Sequence, residues 1–122
     1  MRKCILLIFL LSCQTSEADF PELLTKGAQQ IGATSAVLEA EITEVGPVRP
    51  IEYGFLWSLQ TDITLASAEN KVVIGLTSDP KEFSIKLDNL IPSTEYYFRS
   101  FAADPGFTKI YYGATVKFVT LP

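Results

Sequence analysis

The sequence predicts an all-β sandwich of about seven antiparallel strands behind an N-terminal signal segment. Three observations lead there. Short stretches alternate apolar and polar residues with a period of two, the mark of a half-buried strand. Clusters of Gly, Pro, Asn and Asp separate these stretches as turn signals. Beyond the first dozen residues no stretch keeps a helical period; "TDITLASAEN", Thr61 to Asn70, comes nearest and is short. The 122 residues suffice for one domain. A hydrophobic content of 48% is enough for a packed core without disulfide staples.

The first segment reads as an address. Arg2 and Lys3 precede an apolar run from Cys4 to Leu11, and small and polar residues follow, in the layout of a secretory signal. The run is far below the ~20 residues of a membrane-spanning helix. "LLSC", Leu10 to Cys13, resembles the bacterial lipobox, with Ser12 as the small residue before the cut. Leu11 departs from the small residue usual one place earlier. The resemblance implies cleavage before Cys13 and a lipid on its thiol. It makes residues 1–12 a lipoprotein signal peptide. "SEA", Ser16 to Ala18, is the rival: a cut before Asp19 would give a freely secreted protein. The only other cysteine is Cys4, so Cys13 has no disulfide partner in a chain cut before it. Residues 13–24 read as a flexible tether and residues 25–122 as the domain. About ten residues of tether reach at most ~35 Å, which keeps the domain near the lipid headgroups.

The strands follow in order. In "SAVLEAEITEVG", Ala36, Leu38, Ala40 and Ile42 share one face, and Gly46-Pro47 ends the run. "IEYGFLWS" places Ile51, Tyr53, Phe55 and Trp57 on one face. Gln60 to Asn70 is a polar connection, and "KVVIGL" is a short strand closed by "TSDP". "EFSIKL" turns Phe83, Ile85 and Leu87 inward. "TEYYFRSFAA" is the next strand, Pro105-Gly106 is a strong turn, and "YYGATVKFVT" closes the fold as one strand.

The spacing Leu90-x-Pro92-x-Thr94-x-Tyr96 is specific. It resembles the tyrosine corner of fibronectin type III and related immunoglobulin-like sandwiches, in which a tyrosine hydroxyl turns back to upstream backbone. The likeness extends through Phe83, Tyr97, Arg99, Phe101, Ala102, Gly113, Phe118 and Thr120, and "EYGFLWS" adds Gly54, Phe55 and Ser58. Together these resemble the fibronectin type III-like repeats common in Bacteroidetes surface lipoproteins, over roughly Ile31 to Thr120. The second-strand tryptophan of ordinary fibronectin type III domains is missing; Leu38 lies nearby, and Trp57 is expected to fill part of that space. The resemblance implies a non-catalytic binding or scaffolding module on the bacterial cell envelope, at the outer membrane or cell surface, held by a lipid anchor.

With Tyr96 and Phe98 in the core, strand alternation sends Tyr97, Arg99 and Phe101 outward. If the last two strands form a hairpin around "DPGFTKI", the expected register sets Tyr97 opposite Lys117, Arg99 opposite Thr115, Phe101 opposite Gly113, and Ala103 opposite Tyr111. The candidate ligand face is then Tyr97, Arg99, Phe101, Phe107 and Tyr111, rings with interspersed donors that suit a sugar or protein surface. The same residues have a structural reading. Phe101 can cover Gly113, Tyr97 can pack along the Lys117 stem, and Phe107 can fold back onto Tyr111 or the sandwich end.

Composition excludes other classes. The net charge of −4 becomes −6 when Arg2 and Lys3 leave with residues 1–12, which argues against nucleic acid. The sequence has no histidine, hence neither the commonest general base nor the commonest metal ligand. No nucleophile has an evident base, and Glu39 and Glu41 lie on a predicted solvent face. No catalytic residue, metal site or cofactor is expected, and the expected partners are a membrane and a protein or cell-surface polysaccharide. The alternative is a freely secreted sandwich acting as an enzyme inhibitor or small enzyme.

Overall fold

A computed structural model of the chain describes residues 19–122. The signal segment and Cys13 lie outside the described residues. Eight strands run in order: β1 (Glu22–Gln29), β2 (Ala36–Glu44), β3 (Ile51–Ser58), β4 (Asn70–Thr77), β5 (Lys81–Leu87), β6 (Glu95–Ala103), β7 (Ile110–Tyr112) and β8 (Val116–Val119). They form two antiparallel sheets, β1-β2-β5 and β4-β3-β6, with β7 and β8 both pairing with β6. No helix is present among the described residues. β1 begins at Glu22, so residues 22–24, expected in the tether, belong to the sandwich.

The period-two pattern of each strand sets what lies between the sheets. Ala36, Leu38, Ala40 and Ile42 of β2 and Phe83 and Leu87 of β5 face Ile51, Tyr53, Phe55, Tyr96, Phe98 and Phe118 from the other sheet, all buried in one core. Phe83 sets its ring 4.8 Å from Tyr53 and 5.0 Å from Phe55, centroid to centroid, in the tilted contacts that aromatic quadrupoles favour. Leu38 is fully buried where a tryptophan is usual, and Trp57 packs against the same core half-buried, as its place in β3 predicts. Each large apolar side chain closed off in this way contributes roughly 1.5–3 kcal/mol.

The turn 88–94 is the tyrosine corner. The Ile91 N–H donates to the Tyr96 hydroxyl at 2.9 Å. The hydroxyl turns back to upstream backbone as the spacing predicts, and it does so as the acceptor. Thr120, the last residue that the fibronectin type III resemblance includes, closes the same turn. Its hydroxyl donates to the Ile91 carbonyl at 2.6 Å and accepts from the Thr94 N–H at 2.9 Å. A tight turn with few ladder partners thereby has its polar backbone satisfied by two side chains.

Tyr96→Phe removes the acceptor and leaves the Ile91 N–H without a partner, so a loss of ~1–3 kcal/mol is expected in urea denaturation. Tyr97→Phe loses only a bond to the exposed Glu95 carboxylate and is expected to cost far less. Equal losses at the two positions would refute the assigned strand faces.

Candidate functional site

Strand β6 carries most of the candidate face, and its outer side holds Tyr97, Arg99, Phe101 and Ala103. The observed register agrees with expectation at one end only. Tyr97 pairs with Lys117, but Phe101 pairs with Tyr112 and Ala103 with Ile110. The expected partners, Gly113 and Tyr111, are each one residue off. The last strand is not continuous: it breaks at residues 113–115 into β7 and β8, and the register slips by one across the break.

The break has a chemical cause. Ser100 faces inward and is fully buried, and its hydroxyl lies 2.9 Å from that of Thr25 on β1. The Ser100 N–H also donates to Thr25 Oγ1, at 3.1 Å. Gly113 returns a bond to the Ser100 carbonyl, at 3.0 Å, while its own carbonyl accepts from Arg99 Nε at 2.9 Å. Two side chains thus take the places of ladder bonds. Gly113 must lack a Cβ here, because one built on it would collide with the Ser100 and Thr25 hydroxyls. Thr25 reaches this point because a bulge in β1, between Thr25 and Gly27, shifts its pairing with β2.

The slip exchanges two tyrosines. Tyr111, expected on the outer face, pairs with Ala102, and its ring stacks on Phe20 with centroids 6.0 Å apart and planes 6° off parallel. Tyr112 takes the outer position instead, with its ring 4.5 Å from the Arg99 guanidinium carbon. Its hydroxyl accepts from the Leu65 N–H at 2.8 Å. Arg99 Nη1 donates to the Ile63 carbonyl at 2.8 Å. The connection 59–69 is therefore clamped across the outer face of β3 and β6.

Under that connection lies a second, smaller core of Leu56, Ile63 and Phe101. Phe101 is 0% exposed, so it offers no surface to a ligand. Phe107 folds back onto Phe101, with ring centroids 6.4 Å apart, rather than onto Tyr111, and does so from a left-handed backbone, φ 55°. Of the five face residues predicted from sequence, the structure gathers Tyr97, Arg99, Phe101 and Phe107 on one side and sets Tyr111 apart. Sequence reasoning missed Tyr112, Ile63 and Thr25. Ile63 and Leu65 carried a signal: two apolar residues spaced by two in a connection otherwise rich in polar side chains.

Electrostatics at this face are local. Burial lowers the Arg99 pKa, but a guanidinium keeps its charge. The Tyr97 hydroxyl donates to Glu95 Oε1 at 2.9 Å, and Lys117 Nζ lies 3.3 Å from the other oxygen. The tyrosine bond, then the lysine, holds the Glu95 carboxyl below its ordinary range, and the same bond raises Tyr97. In the turn 104–109, the Asp104 carboxylate accepts from the Thr108 hydroxyl and from the Thr108 and Lys109 N–H groups, at 2.7 and 3.0 Å for the two amides. The Thr108 hydroxyl is the main cause of its lowered pKa. Among the described residues no group of acidic, cysteine or histidine side chains is placed to hold a metal ion.

Two outcomes test this geometry. Arg99→Met leaves the Gly113 and Ile63 carbonyls without their charged donor, and a loss of ~1.5–3 kcal/mol is expected, with faster amide exchange concentrated in residues 59–69. Uniform exchange across the chain would refute the clamp. The Asp104 pKa is depressed, so its stabilisation of the turn is present above the ordinary aspartate range and is lost as pH falls through the lowered value. The Thr108 and Lys109 amide resonances are expected to move together in that acid window, and to stay still in Asp104→Asn.

No family model matches the chain, and no curated protein matches it. Solved structures do. The sensor domain of the anti-sigma factor RsgI4 of Pseudobacteroides cellulosolvens is similar with a TM-score of 0.62 and 21% identity, over 87% of this chain and 98% of that one. The fibronectin type-III domain of human fibronectin type III domain containing protein 3 gives 0.56 and 20%, over 89% and 91%. A computer-redesigned β-sandwich protein gives 0.54 and 25%, over 83% and 93%. With two sheets in this strand order and the tyrosine corner in place, the fold of residues 19–122 is a fibronectin type III-like, immunoglobulin-like β-sandwich.

Proposed function

We propose that the chain is a lipid-anchored protein of the bacterial cell envelope whose sandwich is a non-catalytic binding or scaffolding module for a protein partner or a cell-surface polysaccharide. The observation that carries the non-catalytic part is how the buried polar side chains are spent. Thr25, Ser58, Ser100 and Thr120 are buried, and each bonds to backbone or to another of the four. Arg99, the cation at the centre of the aromatic face, is committed to two carbonyls and a tyrosine ring. Side chains so engaged hold strands in place and are not poised for proton transfer.

A sandwich of this kind presents preformed surfaces, and its likeness to a sensor domain and to a fibronectin type III domain supports a recognition role, by analogy of fold. On the aromatic face the accessible members are the half-buried Tyr97 and Phe107, with the exposed Glu95 and Lys117 beside Tyr97. Phe101 acts beneath them as support. The anchor rests on "LLSC" and on Cys13.

Cys13→Ala is expected to abolish labelling with a radioactive fatty acid and to move the protein from the membrane fraction to the aqueous one. A mature N-terminus at Asp19, read by mass spectrometry, would overturn the anchor and favour the secreted form. Binding of the domain to envelope polysaccharide fractions and to envelope proteins, scored apart from turnover, tests the module. Turnover of any fraction would overturn the non-catalytic reading.

A further inference from the structure

We infer that the pole of the sandwich carrying turns 45–50 and 104–109 lies against a zwitterionic phospholipid surface, and that the pole carrying turn 88–94 and Leu121 points away from it. The inference rests on the lipid anchor at Cys13 and adds an orientation to it.

The chain enters the sandwich at the first of these poles. Glu22 pairs with Glu44, so residues 19–21 run beside turn 45–50. Their place is defined by contacts. Pro21 is buried, and Phe20 stacks on Tyr111. The Phe20 backbone crosses Gly46, where an added Cβ would lie 3.0 Å from the Phe20 carbonyl carbon, and Gly46 holds φ 83°, a conformation that glycine adopts without strain. The exit point is therefore packed against the fold.

Between Cys13 and Phe20 stand only residues 14–19. Six residues span at most about 20 Å. β6 alone, with nine residues, is roughly 30 Å long. The entry pole is thus held within a strand's length of the anchored thiol, and the opposite pole is a full strand further off.

The surface of the entry pole fits that position. Val48 is 61% exposed and Phe20 50%, comparable with Ile91 and Leu121 at the far pole, so tether length and not apolar exposure decides between the poles. Val48 lines a cleft of ≈ 280 Å³ with Pro21, Pro47, Ile51 and Tyr111, Lys109, Asp19 and Asp104 form its rim, and Phe20 stacks on Tyr111. Apolar side chains beside an apolar cleft match the headgroup–acyl boundary. The rim carries both signs, and the Asp104 carboxylate is already bonded within its own turn. Mixed charge suits a phosphate with its ammonium, and the acidic chain as a whole disfavours anionic lipid.

The test uses the full lipidated protein in vesicles of phosphatidylcholine and phosphatidylethanolamine at 3:1. Nitroxides are placed at Val48→Cys or at Leu121→Cys, which is 52% exposed at the far pole. The Val48 label is expected to be at least threefold less accessible to an aqueous nickel relaxant than the Leu121 label, and more accessible to oxygen. Equal accessibility, or the reverse order, overturns the orientation while flotation of the same vesicles still confirms the anchor. Failure of the wild-type protein to float, with Cys13→Ala behaving alike, overturns the anchor and the orientation together.

Discussion

The Ser100 amide hydrogen bonds to a threonine side chain where a strand neighbour would be expected. Much of the described arrangement depends on that substitution. With Thr25 occupying the inner side of β6 and Arg99 the outer, the last strand cannot zip along its whole length. It opens at Gly113 and resumes one residue out of step. The step places Tyr112 under the Arg99 guanidinium and Tyr111 against Phe20. One buried hydroxyl pair thereby determines which aromatic ring secures the 59–69 connection and which secures the N-terminal segment.

The fold was readable because its signals are local. Alternation in β2, β3 and β5 needs only a few consecutive residues, and the partners in the corner, Ile91 and Tyr96, are five apart. The register of the last strand was not readable in the same way. It is decided by Thr25, 75 residues from its partner Ser100, and nothing in "YYGATVKFVT" itself shows that a side chain from β1 will intrude. Gly113 was the available clue. Its aromatic neighbour pointed to a ring covering a bare backbone, whereas the missing Cβ makes room for two hydroxyls from inside.

The candidate face was legible as a set of residue types and not as a surface. Alternation correctly sends Phe101 to the outer side of β6, but outer is not the same as exposed. Ile63 from the connection covers it, and Leu65 and Phe107 pack alongside. A sheet with both faces covered resembles the interior of a larger protein more than the edge of a small one. The rings and the arginine concentrated in Tyr96 to Asp104 thus serve two cores, one on each side of the same strand.

The Thr25–Ser100 bond also has a kinetic consequence. Its two partners lie 75 residues apart in sequence, so β1, which can pair locally with β2, meets β6 only when the two sheets close on each other. Closing so long a loop costs entropy that only the completed contact returns. A side chain from the first strand of the sandwich therefore completes the bonding of β6, and until the sheets close the Ser100 amide and hydroxyl have water as their partner.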